Sequence, residues 1–189
     1  RLDSVSLEIG PGRTAIVGLS GAGKTSLLNV IAGFERPSSG TVTLSTREAG
    51  DRLARFWIPQ NGGLWPHLKL RDHLHVVSPA GDLAEKSGRK SDEILRSLDL
   101  THREFAFPDE LSQGERSRMV FARALMSDAR VILADEPLAH VDVVRKPDYW
   151  NVVDQWFNEK ECAFVFSCHE PEIILKHAER VIVMESGRI

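Results

Sequence analysis

Leu2, Val5, Leu7 and Ile9 alternate roughly with polar neighbours, which predicts a half-exposed strand entering a turn at Gly10-Pro11-Gly12. Residues 14–17 form a short apolar run that stops at a glycine-rich loop. A helix is predicted over 24–32, with Leu27, Leu28 and Ile31 on its buried face and Gly33 ending it. After the turn Pro37-Ser38-Ser39-Gly40, residues 41–44 alternate like an exposed strand, and residues 55–59 form another short strand that ends at Gln60. From 61 to 110 the pattern loosens into weakly helical stretches (68–77 and 92–98) around a polar gap at 81–90, as in a small, mostly helical insert. A long amphipathic helix follows over 112–126, then a fully apolar strand at 131–134, a helix over 148–159, and strands at 163–167 and 181–184. Strands that are apolar throughout and alternate with helices predict an α/β fold whose mostly parallel sheet is covered on both faces. The early alternating stretches add an N-terminal antiparallel β portion. The core is expected to comprise residues 1–60 and 111–189, with 61–110 as a helical subdomain.

Composition narrows the function. The chain has 189 residues, 42% apolar and 27% charged, the balance of an ordinary globular domain rather than a disordered or fibrous one. No apolar run is long enough to span a bilayer, and residues 1–10 show no secretory signal. The net charge of −3 argues against a nucleic-acid partner held by a basic surface. Two cysteines, Cys162 and Cys168, read as reduced thiols of a cytosolic protein. His67, His73 and His75 cluster in a segment of uncertain helical phase and are assigned no metal. Trp57, Trp65, Trp150 and Trp156 are read as packing residues.

The residues Gly18-Leu19-Ser20-Gly21-Ala22-Gly23-Lys24-Thr25 fit the phosphate-loop pattern G-x-x-x-x-G-K-[ST], between a strand and a helix as that motif requires. Glycines let backbone N–H groups curl around phosphates, and the helix N-terminus adds its positive dipole end. Lys24 can reach the β- and γ-phosphates, the Thr25 hydroxyl can ligate Mg²⁺, and Ser26 continues the site into the helix. The apolar run 131–134 delivers Asp135 and Glu136 to the carboxyl rim of the sheet. There Asp135 would hold the metal through a water, and Glu136 would orient or deprotonate the attacking water. His169 ends another buried strand at the same rim, where an imidazole can meet a γ-phosphate. Gln60 ends a fourth, where a neutral amide can bridge metal and water. Ser112 and Glu115 fit a capping box, and the same helix N-terminus, with Gly114, also fits an anion site.

In this order the motifs resemble the nucleotide-binding domains of ATP-binding cassette (ABC) proteins, over nearly the whole chain. Residues 111–125 (LSQGERSRMVFARAL) look like the family's signature helix, and Leu64 to Leu68 like the segment after its Gln loop. The resemblance implies a P-loop NTPase fold and a Mg²⁺-dependent ATPase working as a head-to-tail dimer. Ser112 and Gly114 would contact the γ-phosphate held by a second nucleotide-binding subunit, and Asp142 would lie at the subunit interface. It also implies a permease spanning the membrane as partner, and a place on the cytoplasmic face of that membrane. Where the family usually reads Gly-Gly-Gln, this chain has Gln113-Gly114-Glu115, which sets a carboxylate near the expected γ-phosphate. The loop Leu138-Ala139-His140-Val141-Asp142 lacks the family's usual serine. The aromatic residue that stacks on adenine is absent and the chain stops at Ile189, so both ends are expected to be trimmed. A non-transport ATPase of the ribosome-associated type, and a nucleotide-binding regulator with little turnover, are the alternative readings.

Overall fold

The computed structural model describes residues 2–44, 53–60, 63–79, 84–158 and 160–189. Among the described residues five strands form one parallel sheet: β1 (Gly12–Val17), β2 (Arg55–Ile58), β3 (Val131–Ala134), β4 (Ala163–Ser167) and β5 (Arg180–Val183), in the order β2-β3-β4-β1-β5. Helix α1 (Lys24–Ala32) follows β1, and α2 (Leu70–Val77) and α3 (Ala84–Ser97) lie between β2 and α4 (Gln113–Ser127). Helices α5 (Lys146–Asn158) and α6 (Pro171–His177) precede β4 and β5.

Alternate strand residues serve opposite faces of the sheet. Ile16, Leu133 and Val165 pack with Leu27 and Leu28 of α1. Ala15, Ile132, Phe164 and Phe166 face a larger core built from α2 to α6. Phe164 is its centre, with ring centroids 4.7 Å from Phe157, 5.0 Å from Phe166 and 6.0 Å from Phe121. Trp150 is buried there too, while Trp65 stacks on His73. His73 is fully buried, its Nε2 accepting from the Trp65 N–H and its Nδ1 facing the Lys69 carbonyl, so packing uses both ring nitrogens.

Several expectations need correction. Residues 2–9 and 41–44 form no strand, and no antiparallel ladder occurs among the described residues, whose one antiparallel contact is the isolated bridge Glu185 to Arg188. Alternation gives a segment the propensity to pair, but a strand needs a ladder of paired residues, and these segments have none among the described residues. The strand expected at 181–184 exists as β5, yet it is exposed at the sheet edge rather than covered. The supposed polar gap carries the first turns of α3, whose buried side runs through Ser87, Ser91, Ile94 and Leu95 and continues to Leu98 just beyond the helix. Small serines close that face, so hydrophobicity alone hides its period. Helix α6, opened by Pro171 at its first position, was not anticipated. Asn61, residues 81–83 and Glu159, expected respectively at the edge of the insert, in the gap and at a helix end, lie outside the described residues.

Replacing Phe164 by Ala is predicted to destabilise the protein by about 3–5 kcal/mol, because its ring has no room to be replaced by relaxation. Urea unfolding measures this, and a loss below about 1 kcal/mol would contradict the central place given to that ring.

Candidate functional site

Register brings the site together. Ile58 pairs with Ala134, Ala134 with Phe166, and Ile16 with Ser167, so four strands end at one level. The residues that follow them are therefore neighbours. They are Gln60 after β2, Asp135 and Glu136 after β3, His169 after β4, and the Gly18 loop after β1.

The first of these neighbours, the loop 18–25, is shaped by glycine. At Gly18, φ is 152° and a Cβ would collide with the Met184 carbonyl. Gly23 caps α1 at φ 106°, with no side chain closing the helix and no acidic residue in its first turn. The first-turn N–H groups of α1 have no intrahelical acceptor, and they converge where an anion is favoured. Lys24 is buried, and its Nζ donates to the carbonyls of Gly18 (2.8 Å) and Leu19 (3.1 Å), which holds the ammonium over the loop.

One continuous hydrogen-bonded network joins the other segments. Thr25 Oγ1 donates to Asp135 Oδ2 at 2.8 Å, and Ser167 Oγ donates to Asp135 Oδ1 at 2.6 Å. Ser167 Oγ in turn accepts from the Glu136 N–H at 2.8 Å. The Glu136 carboxylate takes Gln60 Nε2 on Oε2 at 2.8 Å and meets His169 Nε2 at 2.7 Å on Oε1. Glu136 has φ 50°, a left-handed conformation that costs a residue with a side chain of order 1–3 kcal/mol and is characteristic of functional sites. The bond to Ser167 helps to hold it there. Ser167 was missed by sequence reasoning; the available signal was one hydroxyl ending the otherwise apolar run 163–167.

A metal ion here would meet oxygen only, from the Thr25 hydroxyl and the Asp135 carboxylate. No group of three or more His, Cys, Asp or Glu residues suited to a metal occurs among the described residues. Such a sparse, hard donor pair fits Mg²⁺, which takes one or two protein oxygens and completes its shell with phosphates and water.

Ser112, Gly114 and Asp142 are not joined to this network by hydrogen bonds among the described residues. Each is tied within its own region. The exposed Asp142 accepts the Val144 N–H on its side chain and the Lys146 N–H on its carbonyl. Gly114 packs closely on the loop after β3, where a Cβ would come within 3.3 Å of the His140 carbonyl. A cavity of about 210 Å³ lies beside it, lined by Gln60, Gln113, Arg116, Glu136 and His140 among others.

Ser112 caps α4. Its Oγ accepts the Glu115 N–H, while Glu115 Oε2 takes both the N–H and the hydroxyl of Ser112 at 2.8 Å. Arg103 donates to the other oxygen, Oε1, at 2.9 Å. Burial alone would raise the Glu115 carboxyl, but the Ser112 hydrogen bonds and Arg103 outweigh it and hold its pKa at about 2. The negative charge expected near the signature is thus present, but it is paired.

The chain is similar to known proteins over most of its length. A family model described as ABC transporter matches residues 2–139. The molybdenum import ATP-binding protein ModC of Rhizobium meliloti is 36% identical over 188 residues, covering 94% of this chain and 52% of its own length. The Fe(3+) ions import ATP-binding protein FbpC 2 of Pectobacterium atrosepticum is 35% identical over 186 residues, covering 94% and 53%. The chain thus spans about half the length of the curated relatives it matches. A solved dimeric ATP-binding cassette in a post-hydrolysis state, bound to ADP and Pi, superposes with TM-score 0.85 over 100% of this chain and 88% of that one, and at 24% identity it shares the fold.

Glu115 yields a pH test. Its folded pKa of about 2 lies below the ordinary 4.5, so its contribution to stability is complete above about pH 4.5 and is lost as pH falls towards about 2. The Glu115→Gln variant is predicted to lose less stability than the parent between about pH 5 and pH 3, measured as urea midpoints; equal losses would show that the pairing contributes nothing.

With the parallel sheet, the glycine-shaped loop and the matched family model in agreement, the chain belongs to the ABC transporter family.

Proposed function

We propose that the protein binds and hydrolyses ATP as the nucleotide-binding subunit of an import transporter. The observation that carries this reading is the single network running from Thr25 through Asp135, Ser167 and Glu136 to Gln60 and His169, beside the phosphate loop. Relatives named for molybdenum and Fe(3+) import support the transport direction.

The triphosphate is bound by the N–H groups of Gly18 to Ser26 and by Lys24, which turns its ammonium from the loop carbonyls towards the phosphates. Thr25, Asp135 and Gln60 would hold Mg²⁺, whose charge would offset that of the β- and γ-phosphate oxygens. Glu136 orients the attacking water and takes its proton as the water oxygen bonds to the γ-phosphorus. The bond to the bridging oxygen breaks, and its electron pair leaves with ADP. His169 and Gln60, which contact the Glu136 carboxylate, aim it and hydrogen-bond the phosphate and the water.

Ser112 and Gly114 of one subunit face the γ-phosphate held by a second, and Asp142 lies where the two meet. Closure and reopening of this dimer drive permease subunits docked near Gln60 and the helices of residues 61–110, which act as a subdomain of the core formed by 1–60 and 111–189. The subunit lies on the cytoplasmic face of the membrane. Among the described residues no helix is long and apolar enough to cross a membrane.

The Glu136→Gln variant is predicted to bind ATP with parental affinity, to lose at least about a hundredfold in turnover and to accumulate as an ATP-bound dimer. The Lys24→Ala variant should lose ATP binding. Nucleotide titration, single-turnover hydrolysis and light scattering test these outcomes, and parental turnover by Glu136→Gln would end the assignment of the general base.

A further inference from the structure

We propose that Arg103 is a positioning residue for the nucleotide of the opposite subunit: it cancels the charge of Glu115, so that the N-terminus of α4 can present Ser112 to a γ-phosphate. The inference rests on the reading of Ser112 as a contact made across the dimer.

Capping does not explain a charge at position 115. A neutral amide at the third residue of a helix returns the same hydrogen bond to the cap. A carboxylate there is a liability if the helix end is to receive a phosphate. Glu115 Oε2 lies 2.8 Å from Ser112 Oγ, so its charge would bear directly on any anion that hydroxyl approached. Burial beside the helix weakens the solvent screening that would otherwise blunt the repulsion.

Arg103 is held where it can counter that charge. It ends the short 3-10 turn Thr101–Arg103, its N–H donates to Leu100 and its carbonyl accepts from Ala106, both at 2.9 Å. The same segment is tied to the start of α2, since Leu70 N–H donates to the Ala106 carbonyl and Arg71 N–H to that of Glu104. Arg103 Nε then occupies Glu115 Oε1, the oxygen Ser112 does not use, and His102 stands 3.5 Å from the same atom. The Arg103 side chain is 42% exposed, so truncating it removes a charge without opening the core. The pair therefore replaces one neutral side chain with two charged ones of zero sum.

The test is a double-variant cycle in the Glu136→Gln background, reading the ATP concentration that gives half-maximal dimer. Arg103→Ala is expected to raise it by roughly ten- to hundredfold while Glu115 is present, because an uncompensated carboxylate then lies close to the incoming phosphate. In a Glu115→Gln background the same change should cost less than about threefold, since no carboxylate remains to be neutralised. ATP affinity of the monomer should be unchanged by Arg103→Ala, whereas damage reaching the phosphate loop of the same subunit would lower it; the loss of the ion pair to Glu115 lowers the unfolding midpoint on either reading and so decides nothing. An equal penalty in both backgrounds, or none in either, would overturn the proposal. Ser112→Glu separates the two levels: if it dimerises like the parent, the reading of contact across the dimer fails and the inference with it. If it abolishes dimerisation while Arg103→Ala has no effect, the inference alone fails.

Discussion

Parallel pairing is the constraint on which the rest depends. In a parallel sheet every strand delivers its carboxyl end to the same edge, and the register of β2, β3, β4 and β1 sets those ends level. Residues more than a hundred positions apart thereby come within hydrogen-bonding distance, as Thr25 and Asp135 do at 2.8 Å. The apolar rings beneath them, with Phe164 at their centre, keep that level from slipping. A slip of one residue would turn Asp135 from the rim towards the core, where an unpaired carboxylate is costly.

Two helix N-termini in the same chain are finished in opposite ways. Helix α1 begins at a glycine with no side-chain cap and no acidic neighbour in its first turn. Helix α4 begins with a serine and a glutamate that satisfy one another, backed by Arg103. The first arrangement leaves backbone donors for an anion bound within the subunit. The second keeps its own bonds until a competing acceptor arrives, which suits a contact made only when two subunits close.

Legibility followed how local the determining physics is. The phosphate loop was readable because glycines at positive φ, a lysine and a threonine must recur at fixed spacing around a phosphate. The strands 131–134 and 163–167 were readable because burial on both faces leaves nothing but apolar residues along them. Residues 2–9 misled because alternation is a property of the segment, whereas a strand is a property of a pair. Helix α3 was half hidden because Ser87 and Ser91 pack like small apolar residues. The partnership of Ser167 with both Asp135 and Glu136, and of Arg103 with Glu115, depends on tertiary register that no local pattern encodes.

A structure of the Glu136→Gln protein grown with ATP and Mg²⁺ tests the central claim most directly. The account predicts the metal on the Thr25 hydroxyl at about 2.1 Å, Asp135 bound to it directly or through one water, and Lys24 on the phosphates. It also places Ser112 of a second copy against the same γ-phosphate. Nucleotide bound away from the rim of the sheet, or a metal remote from both Thr25 and Asp135, would contradict it.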